Sequence, residues 1–176
     1  MKFTDIGLAG AWLVEHAPAQ DERGSFTEVW EREAFAGRDL ISTIDQVSTA
    51  HNTHAHTLRG MHFQVAPFAQ TKLVSCIAGS IFDVMIDLRP QSPSFRRWFG
   101  GELRAGEPRA LYIPAGFAHG YLTLQAHTTV HYLIAGKYSP RHARGVRWND
   151  PAFGIRLPAA PAIISPRDAQ YEDFTA

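Results

Sequence analysis

The sequence predicts a mainly β domain, an antiparallel sandwich or barrel. Three observations carry that expectation: apolar and polar residues alternate with a period of two, the alternating runs recur at even spacing, and turn-forming residues separate them. In TKLVSCI (71–77), Lys72, Val74 and Cys76 share a face. IFDVMIDL (81–88) places Phe82, Val84 and Ile86 on one face and Asp83, Met85 and Asp87 on the other. ALYIP (110–114), GYLTLQ (120–125) and TVHYLIA (129–135) complete the set. Ala78-Gly79-Ser80, Pro90 to Pro93, Gly100-Gly101, Gly106 to Pro108 and Pro114-Ala115-Gly116 supply the turns. One short helix is expected over EREAFAG (31–37), closed by Gly37. The segment 151–176 contains Pro151, Pro158, Pro161 and Pro166 and reads as an extended wrap. No repeat, low-complexity tract or linker interrupts the chain, so one domain over residues 1–176 is expected.

Composition narrows the function classes. The length of 176 residues suits one hydrophobic core. Hydrophobic residues make up 45% and charged residues 19%, which is globular rather than disordered. Lys plus Arg and Asp plus Glu are 17 each, so there is no basic excess of the kind a general nucleic-acid binder carries. Cys76 is the only cysteine, which excludes an intrachain disulfide and fits a reducing cytoplasm. The N-terminal stretch carries Asp5 and Glu15 and lacks the pattern of a signal peptide. No uninterrupted apolar run is long enough for a membrane helix.

Two segments carry candidate chemistry. LRGMHFQ (58–64) with AQTKLV (69–74) brings an Arg, a His and a Lys together on strand, turn and strand. Lys72 faces a barrel interior if Val74 and Cys76 do, and a buried ammonium then needs an anionic neighbour. The alternative is an exterior Lys72 on an edge strand. PAGFAHG (114–120) matches Pro-x-Gly-x-x-His, the second motif of the cupin superfamily, which makes His119 a candidate metal ligand. The first cupin motif is missing. His54-Ala55-His56 has the ligand spacing, but no Glu follows before Glu102, so both read as loop residues. Gln64 and Lys72 stand where ligands near His62 would be, and a Lys repels a divalent cation. No metal or other cofactor is expected.

Removing a proton beside a carbonyl needs a base, a donor to the enolate oxygen and an acid to return the proton. His62 suits the first role, since imidazole titrates near neutrality. Lys72 suits the second. Tyr132, on the same face as Val130 and Ile134, suits the third. The competing reading of Tyr132 is a core tyrosine whose hydroxyl finds a backbone partner.

Over most of its length the chain resembles the dTDP-4-dehydrorhamnose 3,5-epimerase family. The ordered motifs are DERGSFTE (21–28), Gln46, LRGMHFQ, AQTKLV, GSIFDVMIDLR (79–89), SPSF (92–95) and LYIPAGFAHGYLTL (111–124). Tyr132, Tyr138 with Pro140, GVRWNDPAFGI (145–155) and ISPRD (164–168) follow. The resemblance implies a cupin-type jelly-roll barrel with a few short helices, a homodimer without metal, and a dTDP-linked 4-keto-6-deoxy sugar as substrate. It implies His62 as base, Asp168 as the carboxylate behind it, Lys72 at the enolate oxygen and Tyr132 as acid. Arg23 and Arg59 correspond to diphosphate-holding residues, a task suited to the guanidinium fork. Phe26, Glu28, Gln46 and Tyr138 correspond to positions lining the nucleotide or sugar. His119 corresponds to a supporting residue near the site. Ser48, and Arg167 within ISPRD, join the expected substrate-binding set.

Three positions depart from the family pattern. Gln-x-Asn becomes Gln46-Val47-Ser48, Tyr-Lys becomes Tyr132-Leu133, and Trp-Pro becomes Leu157-Pro158. Ser48 and Leu133 are expected to reshape the sugar pocket. Inversion at C3, at C5 or at both therefore stays open. A sugar-nucleotide binder without turnover and a metal-dependent cupin using His54, His56 and His119 are the alternatives from other classes.

Overall fold

The computed structural model describes residues 1–175. The chain runs β1 (Lys2–Asp5), β2 (Trp12–Glu15), β3 (Ala19–Asp21), β4 (Gly24–Phe26), α1 (Arg32–Ala36), β5 (Gln46–Asn52), β6 (Thr57–Gln64) and β7 (Thr71–Ala78). It continues through β8 (Ser80–Asp87), β9 (Trp98–Arg104), β10 (Arg109–Ile113), β11 (Phe117–Thr123) and β12 (Thr128–Ala135). β13 (Ala143–Gly145), β14 (Ile163–Ile164) and α2 (Pro166–Ala169) complete it. One sheet has the order β1-β2-β10-β7-β12-β5 and the other β13-β6-β11-β8-β9. β14 adds to β6 in parallel, and β3 pairs only with β4. The result is the expected mainly β jelly-roll; among the described residues its two sheets stay separate rather than closing into one barrel. No helix among the described residues is long and apolar enough to cross a membrane.

The period of two reads out as three packed layers. Val74, Cys76, Leu111, Ile113 and Val130 from the first sheet meet Ile81, Met85, Leu103, Phe117 and Tyr121 from the second. The outer face of the second sheet, with Leu58, Met61, Val84, Ile86 and Leu122, lies under the C-terminal segment, whose Phe153 is buried there. The outer face of the first sheet, with Leu73, Tyr112 and Leu133, lies under α1, whose Phe35 is fully buried. Each such side chain contributes roughly 2 kcal/mol of burial free energy. Covering both faces explains why β8 and β11 are buried almost throughout.

α1 forms where expected. Glu31 accepts hydrogen bonds from the Glu33 and Ala34 amides at 2.9 and 2.7 Å, which starts the turn, and Gly37 follows its end. The C-terminal segment is more ordered than a plain wrap. Ile163 and Ile164 pair with Thr57 and Leu58, and Ser165 caps a helical turn that begins at Pro166. Proline at the first helical position costs no hydrogen bond, so the proline content concealed a helix start.

Candidate active site

A local irregularity in β6 creates the site. β11 pairs with β6 so that His119 stands opposite His62 and Tyr121 opposite Arg59. Two residues on β11 thus span three on β6, which is a β-bulge. Leu58 and Met61 face the outer cluster, while Arg59 and His62 both face the space between the sheets. Strict alternation would have sent His62 and Arg59 to opposite sides. Two glycines permit the bulge. A Cβ at Gly60 would lie 2.5 Å from the Gly120 Cα, and a Cβ at Gly120 would lie 2.5 Å from the Arg59 carbonyl oxygen. Gly60 also has φ of +134°, which a side chain would strain.

His62 lies 2.7 Å from Asp168, Nε2 to Oδ1. An ionised carboxylate can only accept, so Nε2 carries the proton and Nδ1 is left free to receive one. The other carboxylate oxygen accepts the Gly60 amide at 3.1 Å. Burial works against ionisation of Asp168, but the hydrogen bonds from His62 and Gly60 prevail and hold its carboxyl below the usual value. The parallel pairing of β14 with β6 delivers Asp168 across 106 residues of sequence.

The opposing sheet supplies Lys72 and Tyr132. Lys72 does face inward with Val74 and Cys76, not outward on an edge. Burial pushes its pKa down to about 8, and the Asp83 carboxylate opposes that shift. Tyr132 is the register partner of both Val74 and Ser48. Burial, with Tyr121 and Asp83 adding to it, raises its phenol well above the usual value. The His119 ring meets Tyr132 edge-on, with centroids 6.0 Å apart. His119 is itself buried and hydrogen-bonded through Nε2 to both oxygens of Asp83, at 2.9 and 3.1 Å. Burial lowers the His119 pKa, although Asp83 pulls the other way.

These groups line a cavity of about 340 Å³. Among the expected residues, Ser48, Arg59, His62, Lys72, His119, Tyr132, Tyr138 and Arg167 line it. Asp168 lies behind His62. Arg59 is oriented by a 2.8 Å hydrogen bond from its Nε to Asn52. Besides Asp168, four expected residues are not on the wall. Arg23 and Phe26 belong to the β3–β4 hairpin, where Arg23 pairs with Asp21 and Phe26 is 77% exposed. Glu28 is exposed beyond that hairpin. Gln46 is exposed and donates its amide to Ser48 at 2.7 Å. Of the departures, Ser48 lines the cavity. Leu133 does not reshape the pocket as expected, because alternation puts it on the far face against Leu73 and Phe35. Leu157 packs in the outer cluster.

Sequence reasoning passed over Asp83, Asn52 and Tyr121. Asp83 had a signal: an acid alternating with Ile81 and Met85 must be buried with a partner. Asn52 donates to the Tyr121 hydroxyl at 3.2 Å and thereby ties the Arg59 support to the core. Among the described residues no three His, Cys, Asp or Glu side chains converge as metal ligands, and His54 is exposed in the turn after β5.

The arrangement is a base on one sheet and a cation with a phenol on the other, around a space sized for a small molecule. Comparison with known proteins agrees with it. The family model described as dTDP-4-dehydrorhamnose 3,5-epimerase matches residues 5–176. The chain is 38% identical over 170 residues to a dTDP-4-dehydrorhamnose 3,5-epimerase of Sinorhizobium fredii, covering 96% of this chain and 87% of that one. The crystal structure of the Bacillus anthracis enzyme of that name, with TDP and PPi bound, superposes with a TM-score of 0.94 at 38% identity. It covers 98% of this chain and 99% of that one. A 3'-monoepimerase of Streptomyces bikiniensis in complex with dTDP superposes with a TM-score of 0.88 at 30% identity, covering 96% and 85%. The chain belongs to the dTDP-4-dehydrorhamnose 3,5-epimerase family.

Proposed function

We propose that the chain is a single-domain isomerase acting on a dTDP-linked 4-keto-6-deoxy hexose, with dTDP-4-dehydrorhamnose 3,5-epimerisation as its reaction. The observation that carries this reading is the division of labour between the two sheets. His62, backed by Asp168, approaches from one side; Lys72 and Tyr132 face it from the other.

A sugar ring lying between the sheets presents one face to each. His62 Nδ1 takes the proton from the carbon beside the C4 ketone, and the resulting imidazolium is stabilised by Asp168. The electron pair moves onto the ketone oxygen, where the Lys72 ammonium stabilises it in a site of reduced dielectric. Tyr132 then donates its hydroxyl proton to the same carbon from the opposite face, which inverts the centre. Burial keeps that phenol protonated until it is needed. Solvent returns a proton to Tyr132 and removes one from His62. Arg59 holds the diphosphate, Arg167 borders the substrate in the same cavity, and Tyr138 packs on the nucleotide or sugar.

We also propose a homodimer. Both strands of the β3–β4 hairpin are exposed throughout, and an isolated two-stranded ribbon is marginal in water. The edge strand β5 lies open beside Ser48, with Val47 62% exposed. A second copy covering these surfaces would bring Arg23, Phe26, Glu28 and Gln46 to a substrate they do not meet within one chain. The reducing cytoplasm expected from the lone Cys76 is where we place the enzyme.

A single-carbon epimerase is the second reading. It is supported by Ser48 in the cavity directly beside Tyr132, and by the likeness to a 3'-monoepimerase. Incubation with dTDP-4-keto-6-deoxyglucose in deuterated water, followed by NMR, decides between the two. Deuterium at C3 and C5 supports the 3,5-epimerase, and deuterium at one carbon supports the second reading. No deuterium at either removes both.

A further inference from the structure

We infer that Tyr171 is the positioning residue of the His62–Asp168 pair, seated in a slot that Gly145 leaves open; this rests on the proposed role of His62 as base. Gly145 on β13 is the cross-strand partner of His62 on β6, so a side chain there would stand next to the imidazole. The Tyr171 ring occupies that space instead. A Cβ built at Gly145 would collide with Cε2 and Cζ of that ring. From this slot Tyr171 presents its ring edge-on to His62, with centroids 6.3 Å apart and planes at 75°.

The placement answers a mechanical need. Asp168 fixes one nitrogen of His62, but the torsion about the bond to an imidazole ring is soft. The His62 side chain is 42% exposed toward the cavity, so nothing on that side stops it swinging. Tyr171 closes the opposite flank. It follows Asp168 by three residues, so one short segment brings both the hydrogen-bond acceptor and the ring that limits rotation. The Arg167 guanidinium lies 5.9 Å from the ring centroid and packs on it. The Tyr171 hydroxyl is buried and points toward the Arg167 side chain. The ring, which stands edge-on to His62, does the positioning.

The test is the rate of solvent deuterium exchange into saturating dTDP-4-keto-6-deoxyglucose, for the unaltered protein, Tyr171→Ala, Tyr171→Phe and Gly145→Ala. Affinity for dTDP and a thermal melt are measured in parallel. Misplacing a catalytic group by about 1 Å costs up to about a hundredfold, so Tyr171→Ala and Gly145→Ala are each expected to lose about tenfold or more. Affinity for dTDP should change by less than about threefold, because the loss falls on the chemical step. Tyr171→Phe should keep the rate to within about twofold, since it preserves the ring that flanks His62. In an Asp168→Ala background, which removes the hydrogen-bond acceptor altogether, the cost of Tyr171→Ala should largely vanish, because the pair it steadies is already broken. Unchanged exchange in folded Tyr171→Ala overturns the inference. So does an equal loss in Tyr171→Phe, or a loss that adds fully to that of Asp168→Ala. If Tyr171→Ala does not fold, Gly145→Ala and Tyr171→Phe decide alone. Absence of exchange in the unaltered protein would instead remove the proposed function, and this inference with it.

Discussion

Lys72→Met should make the protein more stable and far less active. Lys72 is the cation of the site, and burial lowers its pKa from 10.5 to about 8. That displacement sets about 3 kcal/mol against the charged form in the folded state. Methionine is similar in length and lies well against Val74 and Cys76, so removing the charge relieves the cost. The attraction of Asp83 is already contained in that net displacement, so the gain is about 3 kcal/mol. For a chain of this size that is a rise in Tm of about 6 to 12 °C at pH 7. The pH dependence has a defined sign. Because the folded pKa lies below the unfolded one, the penalty is complete below about pH 8, shrinks between about 8 and 10.5, and is gone above that. The Tm advantage of Lys72→Met must follow the same course and close by pH 10.5. Activity runs the other way: loss of a preorganised donor at a developing oxyanion costs about 10²- to 10³-fold. Unaltered protein should also lose exchange rate above about pH 8, as the ammonium deprotonates. Melting curves from pH 7 to 10.5, paired with deuterium exchange, check both halves. A Met variant that melts no higher at pH 7, or whose advantage stays constant to pH 10, would refute the reasoning.

Gly120→Ala should disrupt the bulge, because its Cβ would lie 2.5 Å from the Arg59 carbonyl and 2.8 Å from the Gly60 Cα. A loss of about 3 kcal/mol in a denaturant melt is expected, with exchange abolished in whatever fraction folds. His62→Ala should abolish deuterium exchange. Tyr132→Phe should retain some exchange but impair inversion by NMR, because removal and return of the proton use opposite faces; equal loss of exchange in both counts against the assigned roles. Asp87 is fully buried, and although burial alone would raise its pKa, hydrogen bonds from Arg89, Ser92 and Ser94 hold it at about 2. Its stabilisation of about 2 kcal/mol is present above pH 3.8 and fades as the pH falls through 2, so the stability gap between the unaltered protein and Asp87→Asn should close over that range.

Alternation in the sequence was enough to give the central strands β7, β8, β10 and β12 and to group Lys72 with Val74 and Tyr132 with Val130 on shared faces. It left Lys72 undecided, because Leu73 on the opposite face is also apolar: with both faces of β7 covered, neither side is marked as solvent. The phase of β6 was not legible. A bulge shifts which residues face inward, and its cause, the contact of Gly60 with Gly120, joins residues sixty positions apart. Asp168 was reached through the ordered motifs of the family and not through spacing, since nothing local in ISPRD points to His62. The same ordered motifs placed Arg23, Phe26 and Glu28 at the substrate, whereas within one chain the first two lie on an uncovered hairpin and Glu28 is exposed just beyond it. Leu133 was misjudged by following a family pattern without its strand parity; one residue from Tyr132 is the other side of the sheet.

The strap that carries Asp168 has a consequence for biosynthesis of the enzyme. A chain made from its N-terminus completes both sheets before Ile163 and Ile164 can pair with β6. Until that pairing forms, His62 lacks its carboxylate and the cavity lacks Arg167. The last residues to be made thus complete both the base and the cover of the second sheet, so that full activity reports on the docking of the whole chain.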